Sequence, residues 1–355
     1  AASDVYKRQF VYSKYKERFR DLMQERYSRQ VLFKEIGLKG QSLLEKKHVL
    51  IVGMGALGTH LAEGLVRAGI NKLTIVDRDY IEFSNLQRQT LFIERDAEDV
   101  LPKVIAAQKV LKEIRKDVEI DAYIEHVNYN FLEQHGMHVD IILDATDNFD
   151  TRQLINDFAY KHQIPWIYGG VVQSTYVQAT FIPGETPCFN CLMPQLPSIN
   201  LTCDTVGVIQ PAVTMTTSLQ LSDALKLLTG NKVNKHFTYG DIWTGDHYTF
   251  GFSRMQNEDC KTCGNAPTYP HLNQHQQDYA TLCGRDTVQY KNADISQEIL
   301  LSFLERNHIQ YRTNLYMTMF RFREHRIVAF SGGRFLIHGT TEPKKAIQLM
   351  HQLFG

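Results

Sequence analysis

Residues 49–58 read VLIVGMGALG: four apolar residues, then Gly53, Gly55 and Gly58 in G-x-G-x-x-G spacing. An unbroken apolar run of this length is the pattern of a strand buried on both faces, and here it enters a glycine turn. Gly53 permits the tight turn and Gly55 lets a phosphate approach the backbone. The helix that follows offers free N–H groups and the positive end of its dipole. KLTIVD, residues 72–77, makes the next strand, so a compact βαβ unit spans residues 48–77. Asp77, 19 residues beyond Gly58, stands where an acid takes ribose hydroxyls. These residues point to a nucleotide without separating NAD from ATP.

Working outward, the pattern repeats. A helix is predicted over 102–116, a strand over 118–127, a buried strand over 139–145 and a helix to about Lys161. IPWIYGGVV, 164–172, returns to the sheet. Such alternation predicts an α/β fold with a doubly wound, mostly parallel, Rossmann-like sheet. From 184 to 206 the chain is rich in proline and turn residues, as in a long functional loop. A helix over 208–229 and the strands HFTYGDIW and HYTFGFSR follow. Residues 265–284 read as a linker and 285–355 as a small C-terminal α+β module. Residues 1–22 are expected to be a non-native or disordered extension ahead of Met23. They have no apolar signal core, and DVYKRQ reads as a translated sequencing-adaptor end.

Composition sets limits. A 355-residue chain can hold one sizeable domain and a smaller one. Formal net charge is zero, so no global field favours nucleic acid or membrane, and no apolar run is long enough for a membrane helix. Four of the six cysteines form two C-x-x-C pairs, Cys188/Cys191 and Cys260/Cys263. With no export signal, a cytoplasmic location is expected, where such pairs point to structural Zn²⁺ rather than disulfides. The 68 residues between the pairs mean that the metal would tie distant segments together.

The charged motifs favour a triphosphate. Asp79–Phe92 reads DYIEFSNLQRQTLF, crowding Asn85, Gln87, Arg88 and Gln89 into five positions. Arg88 can grip a phosphate through two parallel hydrogen bonds, and Asn85 and Gln87 can bind sugar or phosphate oxygens. Lys103, directly after Pro102, can place a point charge on a triphosphate, although by itself it reads as a surface lysine. In LDATDNFDTR, 143–152, Asp144 and Asp147 lie at the carboxyl end of a buried strand. One of them is suited to Mg²⁺, which combines a carboxylate or two with substrate phosphates. Asp147 or Asn148 could equally cap the helix.

Together these stretches resemble the MoeB/ThiF family, relatives of the ubiquitin-activating enzymes. The resemblance runs from about Glu25 to Gly264. It rests on RYSRQ (26–30), GMGALG (53–58), DRDYIEFSNLQRQ (77–89), PK (102–103), DATDN (144–148), the knuckles CFNC and CKTC, and LTCDT. It implies ATP-dependent adenylation of the C-terminal glycine of a ubiquitin-like sulfur carrier ending in Gly-Gly, with Mg²⁺ and release of pyrophosphate. Gly53, Gly55, Ala56 and Gly58 would line the phosphates, with Ala56 standing where many relatives have glycine. Asp77 would match the ribose ligand, and Ser84, Asn85, Leu86, Gln87 and Arg88 the nucleotide-contact stretch. Lys103 would match the phosphate lysine, Asp147 the Mg²⁺ acid and Asn148 its neighbour. Arg29 would reach into a partner's site, implying a homodimer, and the four knuckle cysteines would hold zinc. Cys203 corresponds to the cysteine that some members join to the carrier, and the loop 192–206 would guide the carrier's tail. The resemblance leaves two carriers open, a MoaD-like one for molybdenum cofactor and a ThiS-like one for thiamine thiazole, with a slight lean to the former. An NAD-dependent oxidoreductase is the remote alternative, since it gives the arginine-rich stretch and the knuckles no role. The C-terminal module is expected to support docking or dimerisation.

Overall fold

The computed structural model describes residues 25–194, 206–273, 279–282, 286–292 and 294–354. Its first sheet grows from the glycine turn. Strand β1 (His48–Val52) is buried on both faces from Val49 onward, and the chain leaves it at Gly53 with φ +97°. A Cβ at Gly53 would stand 2.6 Å from the Ala145 carbonyl oxygen, and one at Gly58 would fall on the Gly53 carbonyl. The turn therefore closes only with glycine at both places.

Around β1 the chain adds α1 (Gly37–Leu44), α2 (Ala56–Ala68), β2 (Lys72–Val76), α3 (Lys103–Ile114), β3 (Glu119–Tyr123), α4 (Tyr129–His135), β4 (Ile141–Asp144) and α5 (Phe149–His162). Then come β5 (Trp166–Val172), β6 (Thr175–Phe181), α6 (Gln210–Leu228), β7 (His236–Asp241) and β8 (Asp246–Gly251). Helix α2 ends on Gly69 at φ +101°, where the Gly69 and Ile70 amides bond back to Leu65. The strands lie in the order β3-β2-β1-β4-β5-β6-β7-β8, parallel from β3 to β5 and antiparallel from β5 to β8. The order reverses between β1 and β4, which opens a crevice at their carboxyl ends. One apolar core, with Leu61, Leu65, Val104 and Leu111, covers one face; Phe131, Phe158, Trp166 and Phe189 cover the other.

A second sheet follows, wholly antiparallel, in the order β11-β12-β13-β14-β10-β9. Its strands are β9 (Tyr279–Leu282), β10 (Thr287–Lys291), β11 (Tyr311–Thr313), β12 (Met317–Phe322), β13 (His325–Phe330) and β14 (Arg334–His338). Helices α7 (Gln297–Arg306) and α8 (Pro343–Phe354) complete its core around Leu300, Phe335, Ile337 and Met350. Residues 265–284 are more than a linker. Leu272 is buried, the His271 amide donates to Asp157, and β9 pairs with β10. Backbone pairing at a sheet edge needs no apolar alternation, so the polar stretch hid the strand. The hairpin β5–β6 turns at Gln173–Ser174 with Gln173 at φ +55° and neither glycine nor asparagine there, so no hairpin-turn residue marks it in the sequence. Among the described residues, no helix is long and apolar enough to cross a membrane.

Gly58→Ala is expected to cost about 1–3 kcal/mol of stability, the range for forcing an extra methyl into a packed site. Denaturant unfolding against wild type measures it.

Candidate functional site

The crevice between β1 and β4 opens into a cleft of about 300 Å³. That is the low end of the range for ligand pockets, roughly 300–1,000 Å³. The glycine turn forms its floor, and α2 begins there just after Gly55, an N-cap residue with no side chain to cap the first amides. Uncapped amides at a helix start are an anion site. Asp77 Oδ2 accepts the Met54 amide at 2.6 Å and Oδ1 the Asp79 amide at 2.7 Å. Each carboxylate oxygen keeps a second lone-pair direction for a further donor such as a ribose hydroxyl.

Lys103 is no surface lysine. It is 3% exposed, its amide donates to the Asp79 carbonyl at 3.0 Å, and its Nζ lies 3.5 Å from Asp79 Oδ2. Arg88 lines the same cleft and donates to the Ser84 carbonyl at 2.9 Å. Buried Gln89 also lines it, and its Oε1 has no hydrogen-bond partner among the described residues. An orphaned acceptor in a polar cleft fits a site built for a ligand.

The two acids of the 144–148 loop divide their work. Asp144 is fully buried and pairs with Arg152 Nε at 3.0 Å, while it accepts the Thr146 amide and hydroxyl. Burial pushes its pKa up, and Arg152 and Thr146 pull against that shift. Arg152 Nη2 also donates to the Thr146 carbonyl at 2.6 Å. Asp144 is thus committed to shaping the loop, leaving the exposed carboxylate of Asp147 facing the cleft. Asn148 is the helix cap, its Oδ1 accepting the Thr151 amide. Sequence reasoning gave Arg152 no role. Its only signal was an arginine eight residues after an acid at a strand end.

At the far rim, Arg78 Nη1 lies 3.0 Å from His126 Nδ1. Arginine only donates, so this ring nitrogen accepts and the imidazole is neutral. Burial, with Arg78 and Arg334 nearby, pushes the His126 pKa down to about 3.

Of the residues expected at the nucleotide, Gly53, Gly55, Ala56, Asp77, Arg88, Lys103, Asp147 and Asn148 line the cleft. Gly58 supports the turn from below. Ser84 offers its carbonyl to Arg88, and Asn85 is buried with Oδ1 on the Glu82 amide. Leu86 packs on the core, and Gln87 is exposed, its Nε2 3.4 Å from the Val208 carbonyl. Arg29 is exposed in the one-turn helix Ser28–Val31, beside the carboxyl end of α2, where Gln30 bonds the Ala68 carbonyl. The length of α2, about 20 Å, separates that end from the glycine turn. Cys203 lies outside the described residues.

The knuckles come together. The four sulfurs of Cys188, Cys191, Cys260 and Cys263 lie within 4.8 Å of one another, with the Cys188–Cys260 and Cys191–Cys263 pairs at 3.5 and 3.4 Å. Sulfurs around a tetrahedral zinc with bonds of about 2.3 Å lie about 3.8 Å apart, so the cage fits that ion. The Cys188 thiol is pushed up to about 12. A hydrogen bond with Cys191 lowers it, but the bond to Cys263, burial and the other sulfurs raise it more. Four sulfurs this crowded can all ionise only with a cation among them. Thr262, between the second pair, donates to Asp157 of α5 and accepts from Asn190 at 3.1 Å, tying both knuckles to the helix behind the sheet.

Residues 27–265 match the ThiF family. The chain is 39% identical over 337 residues to the sulfur carrier protein ThiS adenylyltransferase of Bacillus subtilis (strain 168), covering 94% of this chain and all of the relative. It is 33% identical over 271 residues to the sulfur carrier protein adenylyltransferase of Thermus thermophilus, covering 73% of this chain and 96% of that protein. The fold resembles E. coli MccB, solved with MccA-N7isoASN, at a TM-score of 0.60 and 22% identity, covering 68% of this chain and 75% of that one.

Two outcomes test the site's construction. Arg152→Ala strands the buried Asp144 charge and is expected to cost about 3–5 kcal/mol in denaturant unfolding, with Arg152→Met/Asp144→Leu recovering most of it. Elemental analysis of purified protein should find one zinc per chain. Cys260→Ser should lose the metal and lower the melting temperature.

Proposed function

The chain belongs to the ThiF family, and on that footing we infer that it is an adenylyltransferase acting on a sulfur-carrier protein. ATP is its nucleotide, and the carrier is a ThiS-like ubiquitin-like protein with a C-terminal Gly-Gly. The carrier assignment is carried by one observation: the relative named for ThiS matches over its whole length and covers 94% of this chain. The slight lean towards a molybdenum-cofactor carrier gives way in this proposal to the ThiS-like one.

In the reaction, a carboxylate oxygen of the carrier's last glycine attacks the α-phosphorus of ATP. The bond from that phosphorus to the oxygen bridging to the β-phosphate breaks, and pyrophosphate leaves with the bridging oxygen and its electron pair. The carrier keeps the AMP as an acyl-adenylate. An anion approaches an anion, so catalysis rests on positioning and on cations already in place rather than on a protein nucleophile. Asp77 holds the ribose, and the α2 amides, Arg88 and Lys103 face the phosphates. Asp147 would hold Mg²⁺, which neutralises phosphate charge when bound. Arg29, too far from its own cleft, would complete the site of a second copy in a homodimer. The cage of Cys188, Cys191, Cys260 and Cys263 would hold structural zinc. Cys203 is the proposed attachment point for the carrier, to be sought by mass spectrometry as an adduct lost in Cys203→Ala.

The test is exchange of labelled pyrophosphate into ATP with each carrier. Exchange is expected with the ThiS-like carrier, and Lys103→Ala and Asp147→Ala should each lower kcat by about 10²–10³, the usual loss for one preorganised charge. Exchange with the molybdenum carrier alone would reassign the substrate. Exchange with neither would overturn the reading.

A further inference from the structure

The second sheet sits on the nucleotide loop. Residues 78–82 join Asp77 to the polar stretch that carries Arg88, and residues 99–102 lead into Lys103. Side chains of the second sheet hold both loops. Arg334 Nη2 donates to the Arg78 carbonyl at 2.7 Å, and Arg326 Nη2 bonds Glu82 Oε1 at 2.8 Å. Tyr80 Oη lies 3.2 Å from His338 Nε2. Asn314 Nδ2 donates to the carbonyls of Asp99 at 2.9 Å and Val100 at 3.2 Å. Tyr80 seals the contact against Met317, Val328, Phe330 and Leu336.

Arg334 is an expensive way to make such a contact. It is 6% exposed, its guanidinium carbon stands 3.6 Å from the centre of the Phe330 ring, and Nη1 has no hydrogen-bond partner among the described residues. Burial pushes its pKa down to about 10, with Asp79 opposing the shift, so it is charged at neutral pH. A buried charge with an incomplete set of partners adds little stability, and an apolar chain of similar volume often does as well. What Arg334 does fix is one carbonyl, that of the residue between Asp77 and Asp79. The Asp79 amide bonds Asp77, and the Asp79 carboxylate faces Lys103. A shift at that carbonyl therefore moves the ribose acid and the environment of the phosphate lysine together.

We propose that Arg334 is a positioning residue for the nucleotide, and that the C-terminal module, through it, holds the Asp77–Asp79 turn in its binding shape. Arg334 acts through Asp77 and Lys103 without touching the nucleotide itself. The proposal rests on the ATP reading above.

The experiment titrates the full chain with ATP and Mg²⁺, without carrier, by calorimetry, alongside melting curves without nucleotide. Arg334→Met keeps the apolar volume and removes the donor. It should bind ATP at least tenfold more weakly with a melting temperature within a few degrees of wild type. Arg334→Lys should recover part of the affinity. In pyrophosphate exchange, KM for ATP should rise while KM for the carrier stays unchanged. Lys345→Ala, on α8, should behave as wild type. If Arg334→Met fails to fold, Asn314→Ala, which releases the 99–100 loop from the same module, should still weaken ATP binding several-fold. Unchanged ATP affinity in the folded variants overturns the proposal. A wild-type chain that binds no ATP overturns the nucleotide reading, and the proposal with it.

Discussion

Everything at the site depends on how closely the backbone after β1 approaches the backbone after β4. Gly53 lies against the Ala145 carbonyl, and Gly58 lies against Gly53, with no space for a side chain at either place. This contact lets α2 start at the floor of the crevice and brings its amides within reach of the Asp147 loop. Parting of β1 and β4 would open the crevice but leave it without this floor.

The cleft's charges are held by a backbone that is itself tied down. Asp77 bonds two amides, and Lys103 is anchored at both its own amide and its ammonium end. Asp144 and Arg152 form a buried pair that shapes the loop presenting Asp147. Each of these groups loses solvent on folding and regains fixed partners, which suits a reaction governed by preorganised charge. The second sheet adds a further layer, gripping the loops that lead to Arg88 and Lys103 from outside the first sheet.

Much of this was legible in the sequence. The strand, glycine turn and helix of 48–68 announce themselves through a buried apolar run and residues chosen for backbone reasons. Asp77 and the two C-x-x-C pairs could be placed because local spacing fixes where they fall on their own elements. Arg152 and Arg334 could not. Their meaning comes from an acid across a loop and a carbonyl across a sheet boundary, and no local period records either. The residues' own pattern left Asp144 and Asp147 open and only the family resemblance favoured Asp147, since both occur in the same short motif and burial separates them.

The sequence by itself determined the fold class, the glycine turn and the polar residue types of the motifs around it, because these follow from local backbone geometry and hydrophobic period. Tertiary structure decided which acid faces the cleft, that Lys103 is buried beside Asp79, and that the four cysteines, 68 residues apart by pairs, meet in one cage. It also decided where the C-terminal module sits. Those outcomes depend on which distant segments exclude water from one another, and that is set by packing rather than by any run of neighbouring residues.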